Sequence, residues 1–194
     1  MRMPRVASET RRRILDAAYT LFYRKGFARV GVDEIASLAG ITKRTLYYHF
    51  KSKDELLAAV LENQHELAIA RIRKYDDRYV GSAEEIVTAV FAELAKWSKT
   101  PGWTGAGFTR LAMELADMPG HPARVAASRH KAEVEKWWAD LLIRADVQQP
   151  HDRARDMMII MEGAKAMILI HRDQSYAATA TRAALQIISK SAQE

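Results

Sequence analysis

Not one of the 194 residues is a cysteine. Disulfides and thiolate metal sites are therefore excluded, and the chain suits a reducing compartment, so a cytoplasmic protein is expected. Glycine (9) and proline (5) are scarce, so an ordinary globular fold is expected. No apolar run reaches the ~18 residues that a bilayer-spanning helix needs. The opening MRMPRVASETRRR is charged and has no apolar middle, so no secretory signal and no membrane contact are expected. There is no phosphate-cradling glycine loop and no nucleophile elbow. The six histidines, His49, His65, His121, His130, His151 and His171, include no pair with metal-ligand spacing on a helix. We accordingly expect no enzyme, no catalytic residue, no metal and no cofactor.

What the sequence does have is charge in one place. Residues 1–53 hold twelve Lys and Arg against four Asp and Glu, so this quarter carries +8 of a net +6 and the remainder is slightly acidic. A basic module joined to a near-neutral body points to a polyanion, nucleic acid before membrane.

Three short helices are legible inside that module. RRRILDAAYTLFYRKG sets Ile14, Leu15, Ala18, Leu21 and Phe22 on one apolar stripe, with Gly26 as a stop. VDEIASLAG makes a second helix between Gly31 and Gly40, with Asp33 and Glu34 at its positive end. In GITKRTLYYHF, Thr42 can cap a third helix, and Ile41 and Leu46 have the spacing of a hydrophobic staple. At ~100° per residue Leu46 and Phe50 point one way, while Arg44, Thr45 and Tyr48 point the other. Tyr47 and His49 flank that outer face, and Lys43 sits at the helix start. Two helices joined by a tight glycine turn, the second with a polar and aromatic outer side, predict a helix-turn-helix.

The chemistry of that outer side fits DNA. Arg44 can pair bidentately with guanine, and Thr45 can meet a base edge or a thymine methyl. Tyr47 can lie along a base or sugar, with Tyr48 and His49 on phosphate oxygens and Thr42 and Lys43 at an anion site. SKDEL then forms a capping box from Ser52 and Glu55. It opens a long helix over 53–79, about 39 Å at 1.5 Å per residue. Its first turn keeps Lys51 and Lys53 beside the DNA, and the helix reads as a connecting lever.

ILDAAYTLFYRKGF, followed by VDEIASLAGITKRTLYYHFKSKDELL, resembles the DNA-binding domain of the TetR family of repressors. The resemblance covers residues 10–61, and LYYHFKSKDEL is its most distinctive part. It implies that Thr42, Lys43, Arg44, Thr45, Tyr47, Tyr48, His49 and Lys53 approach DNA, and that the protein dimerises through its last two helices. There are two departures. Val30-Gly31 stands where the family usually has hydroxyl residues, and Arg44 where a small residue is usual, which implies a base preference of its own.

The remainder reads as helical throughout, giving an all-α chain of about nine helices: a DNA-binding domain over 1–52 and an effector-binding and dimerisation domain over 53–194. Ser82 and Glu85 form another capping box, KTPGW and MPGHP are breaks, and Pro122 suits the first position of a long helix. The last helices are expected over 151–171 and 175–190. MMIIMEGAKAMILI is apolar around most of its circumference, and the final helix is rich in alanine. Paired with their two-fold copies, these helices would make a four-helix interface using Ala164, Ile168, Ala180, Ala184 and Ile187. A hairpin buried within the chain explains the same pattern, and the two readings overlap. Trp97, Trp103, Phe108, Met113, Trp137, Met157 and Met161 are either core or the wall of a pocket for a small, mostly apolar effector. Glu114, His130 and His171 are the candidate polar groups there.

The expected function is a homodimeric repressor that binds double-stranded, palindromic operator DNA and is released by a small-molecule effector. The rivals are an all-α ligand-binding protein that has lost specific DNA recognition, and an enzyme on an all-α scaffold.

Overall fold

Side-chain oxygens stand where the sequence places helix starts. In the computed structural model, which describes residues 5–78 and 82–189, Thr42 Oγ1 accepts the Thr45 N–H at 3.1 Å, Ser52 Oγ the Glu55 N–H at 3.0 Å and Ser82 Oγ the Glu85 N–H at 3.2 Å. Glu55 reciprocates at the N–H of Lys51 (2.7 Å), one residue ahead of its cap. Gly31 starts its helix with no side-chain bond. Of Arg5, Val6, Asp77 and Arg78 only the backbone is described, and Arg2, counted in the basic module, lies outside the described residues, as do Tyr79 and Lys190, the expected ends of two helices.

Among the described residues there are nine helices and no strand: α1 Arg5–Lys25, α2 Val32–Leu38, α3 Lys43–His49, α4 Lys53–Arg78, α5 Ala83–Trp97, α6 Gly107–Glu114, α7 Pro122–Arg144, α8 Pro150–His171 and α9 Ser175–Ser189. The all-α class is as expected. Pro122 and Pro150 open α7 and α8, where the missing N–H costs nothing. A histidine rather than a hydroxyl serves the first turn of α7: His121 Nδ1 accepts the Ala123 N–H at 3.1 Å.

The chain packs into two units, Met1–Glu66 with Gly107–Ser128, and Leu67–Ala106 with Arg129–Glu194. In the first, Ile14, Ala18, Leu21 and Phe22 of α1 meet Ile35 of α2, Leu46 of α3 and Leu56, Leu57, Val60 and Leu61 of α4, all buried. Leu111 of α6, Leu115 just beyond its end and Ala123 of α7 complete the same core from far along the chain. The boundary expected at 52/53 thus falls inside this unit. Its cause is the amphipathic start of α4: each buried leucine there stabilises the unit by roughly 1.5–3 kcal/mol, and α6 covers what three short helices leave open.

In the second unit α8 and α9 pack on one another and α9 packs on α5. Phe91, Trp138, Leu142, Met157, Ile168 and Ala184 lie at its centre. Four residues assigned above to an interface between copies, Ala164, Ile168, Ala180 and Ala184, are buried here within the chain, and Ile187 packs partly buried against them. These small side chains let α8 and α9 approach each other within the chain, as the hairpin reading has it. The exposed side of α8 carries Ile159 (72%), Gly163, Ala166 and Ile170 (65%) instead.

Candidate nucleic-acid interface

α3 has two faces. Leu46 and Phe50 are fully buried in the first core, while Tyr47 and Tyr48 are 44% and 84% exposed. Arg44 is exposed and makes no polar contact among the described residues. Thr42 Oγ1 lies 2.9 Å from Thr45 Oγ1, so the two hydroxyls are already paired at the helix start. The Tyr48 and His49 rings meet edge to face at 5.4 Å. Lys43 Nζ is bonded to Asp33 Oδ2 of α2 at 3.0 Å, and that bond, with the carboxylate's charge, holds the ammonium above its ordinary pKa. Lys53 lies 4.2 Å from the Phe27 ring centroid, and partial burial pushes its pKa down. All eight residues expected to approach DNA therefore lie on α3, its cap or the first turn of α4, inside one unit.

What fixes the presentation of α3 is a set of contacts that the sequence did not reveal. Arg13 of α1 donates to the carbonyls of Ala39 and Gly40 (3.1 Å to the latter), which are the free carbonyls at the end of α2. Gly40 has φ +63°, which favours glycine, and a Cβ there would stand 2.7 Å from the Arg13 guanidinium and displace it from these carbonyls. Lys25 and Glu34 form an ion pair between the end of α1 and the start of α2.

A second splint comes from α6. Arg110 Nη1 donates to the carbonyl of Tyr23 at 2.7 Å. One turn later, Glu114 accepts the N–H of Phe27 at 3.1 Å and of Ala28 at 2.7 Å. These two side chains grip the α1–α2 corner on both sides of Gly26, whose φ is +89°. His121 packs edge-on against Phe27 at 5.8 Å, and its Nε2 lies 3.5 Å from Asp54 Oδ1.

The residues expected to wall an effector pocket are not all brought together. Trp103, Trp137, Met157 and Met161 are buried in the second core and Trp97 packs partly buried against it, with Trp97 and Trp103 edge to face at 5.7 Å. Phe108 instead packs on the first core, and Met113 is 73% exposed. Both leave the expected set because α6 turns Leu111 inward and carries Met113 on the opposite side. Glu114 is committed to the backbone of Phe27 and Ala28, His130 is buried in the second unit, and His171 is exposed and stacks on Tyr176 at 5.3 Å. An open groove of about 630 Å³ between α5 and α9, lined by Glu84, Glu85, Thr88, Ala89 and Leu185 among others, includes none of the expected pocket residues.

Comparison with known proteins follows the same division. The family described as bacterial regulatory proteins, tetR family, matches residues 14–60. The HTH-type transcriptional regulator TtgR of Pseudomonas putida is 38% identical over 98 residues, 48% of this chain and 47% of that protein. The HTH-type transcriptional activator FasR of Mycolicibacterium smegmatis is 41% identical over 73 residues, 38% of this chain and 32% of that one. The chain thus spans about half or less of the length of the curated relatives it matches. In three dimensions it is similar to the crystal structure of SCO4454, a TetR-family transcriptional regulator from Streptomyces coelicolor. There the TM-score is 0.87 at 25% identity, covering 96% of this chain and 97% of that one. No helix among the described residues is long and apolar enough to cross a membrane. With the helix-turn-helix built as described and these likenesses around it, residues 14–60 form a DNA-binding domain of the tetR family of bacterial regulatory proteins, and the chain as a whole is similar in fold to a TetR-family transcriptional regulator.

Proposed function

We propose that the chain is a homodimeric transcriptional repressor of the cytoplasm, which grips a palindromic operator and lets go when a small, mostly apolar molecule binds its second unit. The observation that carries this reading is the division of α3 into a buried side, Leu46 and Phe50, and an outer side bearing Arg44, Tyr47 and Tyr48 on a strongly basic module. A helix so divided is built to lie in a major groove. The exposed Ile159 and Ile170, with Gly163 and Ala166 between them, supply a face on which a second copy can pack closely. Two heads on one side of a duplex need recognition helices about 34–36 Å apart, or a multiple of that. α4 begins in the first unit and ends in the second, and serves as the lever between effector and head spacing. A coupling of ~1–3 kcal/mol lowers operator affinity 5- to 150-fold. The apolar effector is assigned to the neighbourhood of Trp97, Trp103, Trp137, Met157 and Met161.

Selection of bound duplexes from a random-sequence library by the purified chain tests the reading. A palindromic motif is expected, whereas a steep salt dependence with no enrichment of any sequence leaves only non-specific binding. Arg44→Ala is expected to cost about 1–3 kcal/mol on the best sequence and to relax preference at one base position. An unchanged motif removes Arg44 from the base readers.

A further inference from the structure

Lys43 is counted among the DNA contacts, yet its ammonium already has an anion. Asp33, from the first turn of α2, reaches it at 3.0 Å, and both side chains are well exposed, at 51% and 75%. The pairing has a local cause. Lys43 is the first residue of α3, where the helix dipole disfavours a cation, and the first turn of α3 contains no acid of its own to offset it. α2 supplies the missing carboxylate from the neighbouring helix. Arg44, the next residue, has no such partner among the described residues.

We propose that Asp33 acts as a built-in substitute for a DNA phosphate, cancelling Lys43 and so limiting how tightly the head holds any duplex. The proposal rests on the DNA-binding reading above. Salt-dependent affinity comes from the counterions released as cations neutralise phosphates, about 0.9 in log–log slope for each phosphate. A Lys–Asp pair is neutral as a unit. When the duplex arrives, Lys43 either keeps Asp33 and neutralises nothing, or turns to a phosphate and leaves a bare carboxylate beside the strand. In both cases one cation of the recognition helix adds little to binding, and the base-reading side chains carry a larger share of what remains.

The test measures binding of the purified chain to a labelled random-sequence duplex across a range of sodium chloride. Asp33→Asn should steepen the slope by about 0.9 per head, which between ~50 and ~200 mM salt corresponds to roughly 3.5-fold more affinity lost per head than in the parent chain. At the lower salt it should bind several-fold tighter than the parent. In the Asp33→Asn background, Lys43→Gln should abolish the gain and return the slope to that of the parent chain. Asp140→Asn breaks a comparable exposed pair with Lys136 in the second unit (2.8 Å) and should bind like the parent, which separates release of Lys43 from a change in net charge. Asp33→Ser removes the same carboxylate with a residue suited to a helix start, and the same steepening is expected of it, so it tests the claim even if Asp33→Asn folds poorly. The inference is overturned if folded Asp33→Asn keeps the parental slope, if adding Lys43→Gln leaves its gain in place, or if Asp140→Asn matches its effect. A parent chain that binds no duplex at low salt overturns the DNA-binding reading, and this inference with it.

Discussion

The two units use polar side chains for different ends. In the first, beside the Lys25–Glu34 and Lys43–Asp33 pairs, the side chains that hold the corners reach for backbone: Arg13 to the carbonyls of Ala39 and Gly40, Arg110 to that of Tyr23, Glu114 to the amides of Phe27 and Ala28. In the second, the long-range contacts join one side chain to another. Lys131 and Lys165 share Glu162 at 2.6 and 2.8 Å, Arg144 and the Trp137 indole share Asp76 at 2.6 and 3.0 Å, and Ser98 meets Gln174 at 2.7 Å. The difference follows from helix length. α2 and α3 have seven residues each, so most of their amides and carbonyls lack an intrahelical partner, and their corners must be held from outside. α7 and α8, with 23 and 22 residues, satisfy their own backbone and need only be pinned together. A surface that must present one helix at a fixed angle rests on splinted corners. A body that must hold an interior rests on packing.

The sharpest way to break that contrast is to open the second core. Trp138 is 1% exposed and lies 4.7 Å from Trp137, so Trp138→Ala should cost about 3–5 kcal/mol in urea unfolding. A loss below about 1 kcal/mol would mean that packing is not what sustains the second unit.

Glu114→Ala tests the other half of the contrast. It leaves two amides without their carboxylate and should destabilise the first unit by about 1.5–3 kcal/mol. Amide exchange at Phe27 and Ala28 should accelerate, while exchange in α8 stays as it was. Uniform acceleration through both units would show that the clamp is not local.

The smallest expected effect concerns pH and the charged cluster of the second unit. Burial works to raise the Glu162 pKa, but Lys165 and then Lys131 outweigh it and hold it down to about 2. The folded value lies below the unfolded one, so the carboxylate contributes stability above pH ~4.5 and loses it as pH falls from there toward 2. Burial and the like charge of Lys165 also push the Lys131 pKa down despite Glu162, so keeping that lysine charged offsets part of the gain. About 1–2 kcal/mol should therefore disappear across that acid window, and Glu162→Gln should flatten it while lowering stability at neutral pH. Identical acid limbs for the two proteins would remove Glu162 from the account.

How much of this was legible depended on how local the signal was. The caps at Thr42, Ser52 and Ser82 and the stripe of α1 could be read because each is set within one or two turns. So could the two sides of α3, whose angular spacing fixes Leu46 and Phe50 opposite Arg44 and Tyr48. The splints could not be read. Arg110 and Glu114 stand one turn apart on an amphipathic helix and look like an ordinary solvated pair, yet Glu114 bonds amides 87 and 86 positions away. Alanine at 164, 180 and 184 announces close approach of helices but does not say whether the neighbour belongs to the same chain. His121 caps α7 where a hydroxyl would have been recognisable.

Gly26 makes one result of this arrangement concrete. A side chain there would begin 3.1 Å from the Glu114 carboxylate and 3.3 Å from the Arg110 guanidinium, so residue 26 and α6 must be compatible. Exchanging DNA-binding heads between related regulators by a single splice after residue 66 therefore severs a matched set. The incoming α1–α2 corner would meet an α6 shaped for another chain. A working chimaera should need residues 107–128 to travel with their own head.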